Sequence, residues 1–473
     1  MPQAAYDLVV IGAGTGGYVA AIRAGQLGLK TAVVERQKAL GGTCLIWGCI
    51  PTKALLEHAH ALKIAQHADV WGIGFGGAQP TLDLKVVHAR QDKIVSGLTK
   101  GVEGLFKKNG VTWIKGTAQL AGGGKVIVTG GDDQELSAEH ILVATGSSPR
   151  SVPGVTIDHT RIITSDEAIH LGEVPKSIAI LGSGAVGVEF ASIFNRFGSK
   201  VTIIELLPRL VPVEDDAVSA ELQRSFRKQG ITVLTGTKVS KAEVKGSTVT
   251  LSAELPGGKH ETIEADYLLV ATGRGPVTEG LGIEKLGVEL FKGYVKVDSL
   301  FRTNVDGISA VGDVITFGEG TRHPQLAHVS SAEGILVAER LAGQDVRPIN
   351  YDHVPGCTYC DPEIGSVGLT EQAAKDQGYD VQVGSFPFRA LGRARMADET
   401  DGFVKIVADK KYDEILGVHI IGPRATELVA EAVLALRTEC TVEELIRTIH
   451  PHPTMSEAMG EAAHATHGAA IHI

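Results

Sequence analysis

The sequence predicts an α/β protein in which one strand–turn–helix–strand unit is used twice, followed by a third domain of α+β character. Three observations predict it. Two glycine-rich turns of the form G-x-G-x-x-G each follow a short apolar run and precede a stretch of helical spacing. Each key position of the first unit recurs 170 residues later: Gly12 as Gly182, Gly17 as Gly187, Gly28 as Gly198 and Glu35 as Glu205. From about Tyr351 onward this signal is absent, and strand-like runs at 403–407 and 415–420 mix with a helical stretch at 425–437. A chain of 473 residues has room for about three domains of ~150 residues. The segments are set at 1–150, 151–275, a central segment 276–346, and 347–473.

The first unit runs from the apolar strand 7–11 through Gly12-Ala13-Gly14-Thr15-Gly16-Gly17 into a helix, then a second strand, 31–34, ending in Glu35. Gly12 permits the tight turn, Gly14 lets backbone approach a pyrophosphate, and Gly17 lets helix and strand pack closely. The helix N-terminus offers N–H donors and partial positive charge to phosphates. Glu35 is placed to accept from a ribose 2′-hydroxyl. The second unit repeats this with Gly182, Gly184, Gly187 and Glu205. Two complete fingerprints predict two Rossmann-like dinucleotide-binding domains. Each is answered by an apolar strand that turns sharply at Thr-Gly, with Thr145-Gly146-Ser147 closing the first and Thr272-Gly273-Arg274 the second. Glu205 favours a free 2′-hydroxyl and repels a 2′-phosphate, and Arg209 beside it reads as a solvated surface charge. NAD is therefore expected rather than NADP.

Between the two units stands Gly41-Gly42-Thr43-Cys44-Leu45-Ile46-Trp47-Gly48-Cys49-Ile50-Pro51-Thr52-Lys53, leading into the good helix formers 54–59. Cysteines this close can pair if the local backbone allows. Beside a nucleotide fingerprint they read as a redox-active dithiol next to a flavin; two buried free cysteines are the bland alternative. Two nucleotides and one dithiol suit electron transfer from a thiol through one cofactor to another. Further on, 303–313 reads as an extended approach ending at Asp313, and Gln325-Leu326-Ala327-His328 opens a helix reaching Ala342. Cys357-Thr358-Tyr359-Cys360 reads as structural, because no second C-x-x-C completes a metal ligand set. The His/Ala-rich tail after Gly460 is expected to be loose.

Composition excludes other classes. A net charge of −10 argues against nucleic acid as the main partner. No apolar run is long enough for a membrane span. Met1-Pro2-Gln3-Ala4-Ala5 lacks a basic region followed by an apolar core, so a cytoplasmic location is expected in preference to the mitochondrial matrix. Five cysteines in so long a chain are no disulfide framework, which fits a reducing compartment.

Taken in order, these motifs, Glu189 in the second unit, Gly312-Asp313 and His450-Pro451-His452-Pro453-Thr454-Met455-Ser456-Glu457 form a specific set. The set closely resembles the pyridine-nucleotide–disulfide oxidoreductase family, from about Tyr6 to Glu461. Within the family it is most similar to members that oxidise dihydrolipoyl groups. The resemblance implies FAD at the first fingerprint, NAD at the second, and a C-terminal interface domain that forms a homodimer. It implies that Cys49 is the thiolate nearer the flavin and Cys44 the interchange thiol. His452 would be the acid/base, contributed by the partner subunit and oriented by Glu457, with His450 a neighbour and not the base. Lys53 would pair with Glu189 by the flavin, and Asp313 would hold its ribityl hydroxyls. The helix after Gln325 would face its pyrimidine end. Gly116 and Val239 are also carried over as cofactor contacts.

Some positions depart from the family pattern. Ile46 and Trp47 replace a frequent Asn-Val, and Gly275 and Val277 stand where Arg and Asn are frequent. Ile22 occupies the place of an arginine usual in glutathione reductases, and the C-terminus carries no second reactive cysteine pair. What remains as substrate is the dihydrolipoyl group of an acyltransferase core in a 2-oxo acid dehydrogenase complex. Two rivals stay open at this point. One is another flavin disulfide reductase, of glutathione, mercuric or quinone type. The other is a docking component with FAD as a structural ligand, its acidic surface receiving a basic module.

Overall fold

The computed structural model describes residues 5–320 and 323–473; Met1–Ala4, read above for a leader, lie outside them. Two compact units emerge. The first comprises the chain up to Ala54, Leu84–Arg150 and Gly273–Ile349. The second comprises Leu55–Asp83, Ser151–Thr272 and Asn350–Ile473. Eight helices recur below: α1 (Thr15–Gln26), α2 (Gly42–Ile46), α3 (Cys49–Gln66), α4 (Ala185–Phe197), α5 (Ala327–Leu341), α6 (Ala425–Arg437), α7 (Val442–Arg447) and α8 (Glu457–Thr466).

The first unit is built on a parallel sheet in the order Thr112–Lys115, Thr31–Glu35, Tyr6–Ile11, Gln134–Val143, with Ile308–Ala310 also parallel to the last. Leu8, Val9, Val10, Val33, Leu142 and Val143 are buried in it, as near-continuous apolar runs in a sheet covered on both faces should be. Helix α1 returns over this sheet and packs on α5. A Cβ on Gly334 would collide with the Gly16 carbonyl, so the glycine sets the closeness of that crossing.

The second unit repeats the design in the order Thr232–Leu234, Lys200–Ile204, Ser177–Leu181, Tyr267–Val270, Ile162–Ile163, all parallel. The repeat extends to register: Val10 pairs with Val33 in the first sheet, and Ile180 with Ile203 in the second. The same unit holds an antiparallel sheet in the order Gly356–Thr358, Glu363–Gly368, Ile415–Gly422, Phe403–Asp409, Val381–Pro387. Helix α8 lies against its edge strand, where a Cβ on Gly384 would collide with Ala462 and Thr466. The tail expected to be loose after Gly460 is therefore helical to Thr466. Alanine favours helix, and Ala462 and Ala463 are fully buried against the sheet. Among the described residues, no helix is long and apolar enough to cross a membrane.

Candidate active site

Both fingerprint turns have the shape a pyrophosphate needs. Gly12 and Gly182 have φ of +98° and +104°, in the region that favours glycine. A Cβ on Gly17 would strike the Gly12 carbonyl, and one on Gly187 the Gly182 carbonyl, so only glycine allows each helix to start so close to its strand. Over Gly14 and Gly184 there is open space. Both glycines are N-caps without a side-chain cap, so the first N–H groups of α1 and α4 remain available to an anion. The residues present fit a bound dinucleotide at each turn.

The acids are held alike. Glu35 accepts from the Ala13 N–H at 2.7 Å and the Gln37 N–H at 2.8 Å. Glu205 accepts from the Ser183 N–H at 2.8 Å and hydroxyl at 2.7 Å, and from the Leu207 N–H at 2.8 Å. A carboxylate has about four lone-pair sites, so each retains capacity for a ribose hydroxyl. The Gly116 N–H donates to the Glu35 carbonyl at 3.0 Å, which brings Gly116 to the same strand end. Val239 is different: its side chain is buried in an apolar cluster, so only its backbone is left to meet a nucleotide.

The dithiol is fastened to the first fingerprint. The Gly41 N–H donates to the Ala13 carbonyl at 2.8 Å, and a Cβ on Gly42 would stand 2.5 Å from Gly14 Cα. The Gly-Gly pair, both at positive φ, thus lets the cysteine segment lie on the pyrophosphate turn. Cys44 sits in α2 and Cys49 opens α3. Both are thiols, half-buried, and their side chains hydrogen-bond to each other. That hydrogen bond, then burial and the charge Cys49 would carry, push the Cys44 thiol well up; Lys53, one turn along α3, pulls it down. A negative charge on Cys49 would therefore make the Cys44 proton harder to remove. Tyr18 in α1, which sequence reasoning passed over, is close enough that burial and then Cys44 push its hydroxyl up.

Asp313 lies in a tight turn after Ile308–Ala310. It accepts from the Ser147 hydroxyl at 2.5 Å, and that hydroxyl accepts from Arg274 Nε at 2.7 Å. Arg274 also donates to the Ser147 carbonyl at 2.7 Å. Thr145 donates to the Val277 carbonyl at 2.6 Å, and Gly146 accepts from the Val277 N–H at 3.0 Å. Gly273, at φ +118°, accepts from the Arg150 N–H at 3.0 Å. The departure at Gly275 has a physical counterpart, since the space a side chain there would need is filled by the Arg150 guanidinium. Nothing in the structure explains Ile46 and Trp47. Gln325 donates to the Asp313 carbonyl at 3.3 Å, and α5 starts at Ala327 and His328 behind Leu326, again without a side-chain cap.

In the second unit Glu189 is buried in α4 and accepts from the Tyr359 N–H at 3.0 Å. Cys360 is buried there too, its thiol pushed up by burial and then by Glu189, and it bonds to the Pro362 carbonyl at 3.2 Å. Cys357 reaches instead toward the Thr426 carbonyl at 3.9 Å, so the two sulfurs serve separate acceptors. No cluster of metal-ligating side chains occurs among the described residues. His452 Nδ1 meets Glu457 Oε1 at 2.7 Å, and the other Glu457 oxygen accepts from the Thr454 N–H at 2.8 Å. Burial opposes ionisation of Glu457, but these bonds outweigh it and hold the carboxyl below its ordinary range. The imidazole stands 79% exposed.

Two dinucleotide turns, a dithiol fastened to one of them and a carboxylate-oriented histidine define an oxidoreductase that handles thiols and nucleotides. Residues 6–334 match the pyridine nucleotide-disulphide oxidoreductase family, and residues 354–463 match that family's dimerisation domain. The chain belongs to the pyridine nucleotide-disulphide oxidoreductase family. It is 45% identical over 471 residues to a mitochondrial dihydrolipoyl dehydrogenase of Pisum sativum, covering 99% of this chain and 92% of the relative. It is 44% identical to dihydrolipoyl dehydrogenase 3 of Pseudomonas putida, covering 99% of both. The crystal structure of LpdA from Mycobacterium tuberculosis superposes with a TM-score of 0.86 at 27% identity, covering 96% of this chain and 98% of that one. Family membership implies binding of a flavin and of NAD or NADP.

Proposed function

We propose that the protein is an NAD-dependent dihydrolipoyl dehydrogenase, oxidising lipoyl-linked dithiols of a 2-oxo acid dehydrogenase complex as a homodimer whose active sites are shared across the subunits. The observation that carries the reading is the Cys44–Cys49 pair in mutual contact, fastened by Gly41 and Gly42 to an uncapped dinucleotide turn. Full-length similarity to dihydrolipoyl dehydrogenases supports the substrate. FAD is assigned to the first fingerprint and NAD to the second. Arg209 supports NAD, because its guanidinium is engaged by Asp216 and by the Pro212 carbonyl at 2.9 Å rather than held for a 2′-phosphate.

The chemistry follows from the side chains. In the oxidised enzyme Cys44 and Cys49 form a disulfide. His452 of the partner subunit, its Nδ1 engaged by Glu457, uses Nε2 to take the proton of a dihydrolipoyl thiol. The thiolate attacks Cys44 Sγ, the Cys44–Cys49 bond breaks, and a mixed disulfide forms. The second lipoyl thiol passes its proton to the departing Cys44 sulfur as its own sulfur attacks the first, closing the lipoyl ring and releasing Cys44 as a thiol while Cys49 remains a thiolate. The dithiol now holds two electrons, and Lys53 favours its thiolate form. A bound flavin supplies the two-electron path from this dithiol to the nicotinamide. The test is Cys44→Ser. Dihydrolipoamide turnover should fall by at least about a thousandfold with flavin content unchanged; turnover near wild type would refute the assignment.

A further inference from the structure

The segment between α7 and α8 carries two histidines that face opposite ways. His452 points outward. His450 points inward, its side chain only 9% exposed, with Nε2 at 2.8 Å from Glu431 Oε1 on α6. The carboxylate at Nε2 favours the protonated, charged ring. The Thr448 backbone also favours the charged ring. Its other flank rests on α8, where a Cβ on Gly460 would stand 3.0 Å from His450 Nδ1. Glycine at 460 is what lets the ring sit so close to the helix that carries Glu457.

We propose that His450 is a positioning residue for proton transfer, pinning the His452-bearing segment between Glu431 of α6 and Gly460 of α8 so that His452 meets the thiol at one fixed angle. The proposal rests on the assignment of His452 as the base. The function of the histidine pair is then divided: one ring moves the proton, and the other holds the loop. Among the described residues, the other hydrogen bonds of residues 448–456 run to close neighbours in sequence, such as Thr454 Oγ1 to the Pro451 carbonyl at 2.7 Å and the Glu457 contacts. The charged groups facing His450 are Glu431 from α6 and Glu457 from α8. The hydrogen bond to Glu431 comes first in holding His450 protonated above the ordinary histidine range, against burial. The charged form of the pin is therefore complete below the ordinary histidine range, and the pin weakens to an uncharged donor as pH rises through the raised value.

The experiment uses the full-length flavin-loaded enzyme and three variants: H450Q, E431Q and H452Q. Each is assayed for dihydrolipoamide oxidation across pH and for NADH-driven reduction of an artificial electron acceptor, which needs no thiol proton transfer. H450Q and E431Q should each lower kcat for dihydrolipoamide by about tenfold, with KM within about twofold, since a misplaced catalytic group costs rate rather than binding. Both should lose the alkaline fall in kcat that the titrating pin gives the wild type, and both should keep the NADH-driven reaction. Either variant with wild-type kcat and an unchanged pH profile overturns the proposal. E431Q leaves His450 in place, so a folding failure of H450Q does not protect it. If H452Q itself turns over normally, the base has been misassigned, a distinct result that also removes the proposal's footing.

Discussion

Cys44 is the residue on which the proposed chemistry converges. Its thiol resists ionisation because it donates to Cys49, is half-buried and would be repelled by a negative charge on Cys49, while Lys53 pulls the other way. Serine in its place keeps the shape of the turn but cannot make or break a sulfur–sulfur bond, so Cys44→Ser separates catalysis from folding more cleanly than a bulkier change. The local motifs were legible in the sequence because their residues lie within a few positions of one another. Glu35 and Glu205 announced the strand ends, whereas the close approach of Gly41-Gly42 to the fingerprint shows only in the fold. His452 and Glu457 were legible only through the family resemblance, since spacing alone leaves His452 one of 17 histidines. His450 was dismissed as a neighbour, because its partner Glu431 lies 19 residues away on another helix and no local pattern links them. The Arg150 guanidinium over Gly275 was hidden in the same way.

At the scale of elements, the two fingerprint turns give a matched pair of predictions. A methyl at Gly17 or Gly187 has nowhere to go but into the carbonyl of Gly12 or Gly182. Gly187→Ala should push α4 away from its strand and raise the KM for NAD by at least about tenfold, while flavin stays bound. Gly17→Ala should instead lose flavin on purification. Steady-state kinetics and the flavin-to-protein absorbance ratio check both, and a Gly187→Ala enzyme that lost flavin but kept its KM for NAD would reverse the assignment of the two sites. Helix α8 shows where composition misleads. A stretch rich in His and Ala was read as loose, yet its alanines are buried and an edge-strand glycine makes room for them. That burial depends on Gly384, which no short window around residue 460 contains.

At the scale of the molecule, the second unit places ionisable groups in its interior. Lys405 bridges Asp215 at 2.8 Å and Glu371 at 2.7 Å, with Lys405 and Asp215 side chains 7% and 2% exposed. Burial opposes the charge on Asp215, but the Lys405 bond and its other partners outweigh it and hold the carboxyl below its ordinary range. His419, buried nearby, is held below the ordinary histidine range by that burial. Both shifts act in one direction. A depressed carboxyl stabilises above its unfolded pKa and loses that contribution as pH falls through its folded value. A depressed histidine loses stability as pH falls from the unfolded toward the folded value, because the unfolded chain takes the proton first. Thermal unfolding should therefore begin to come earlier as pH drops below the ordinary histidine range, and earlier still through the carboxylate range. Lys405→Met should destabilise by about 3–5 kcal/mol at neutral pH by leaving Asp215 buried without its cation. A melting temperature unchanged by that substitution would show the pair to be incidental.

The central claim is that a dihydrolipoyl dithiol delivers its electrons through Cys44 and Cys49 to a flavin and on to NAD. The most direct measurement is the visible absorption of the flavin-loaded enzyme during anaerobic titration with dihydrolipoamide, followed by NAD. The account predicts that the flavin spectrum changes on adding dihydrolipoamide, that NAD restores it while NADH appears, and that Cys44→Ser abolishes the response to dihydrolipoamide but not to NADH. A flavin that responds to NADH and ignores dihydrolipoamide in the wild-type enzyme would contradict it.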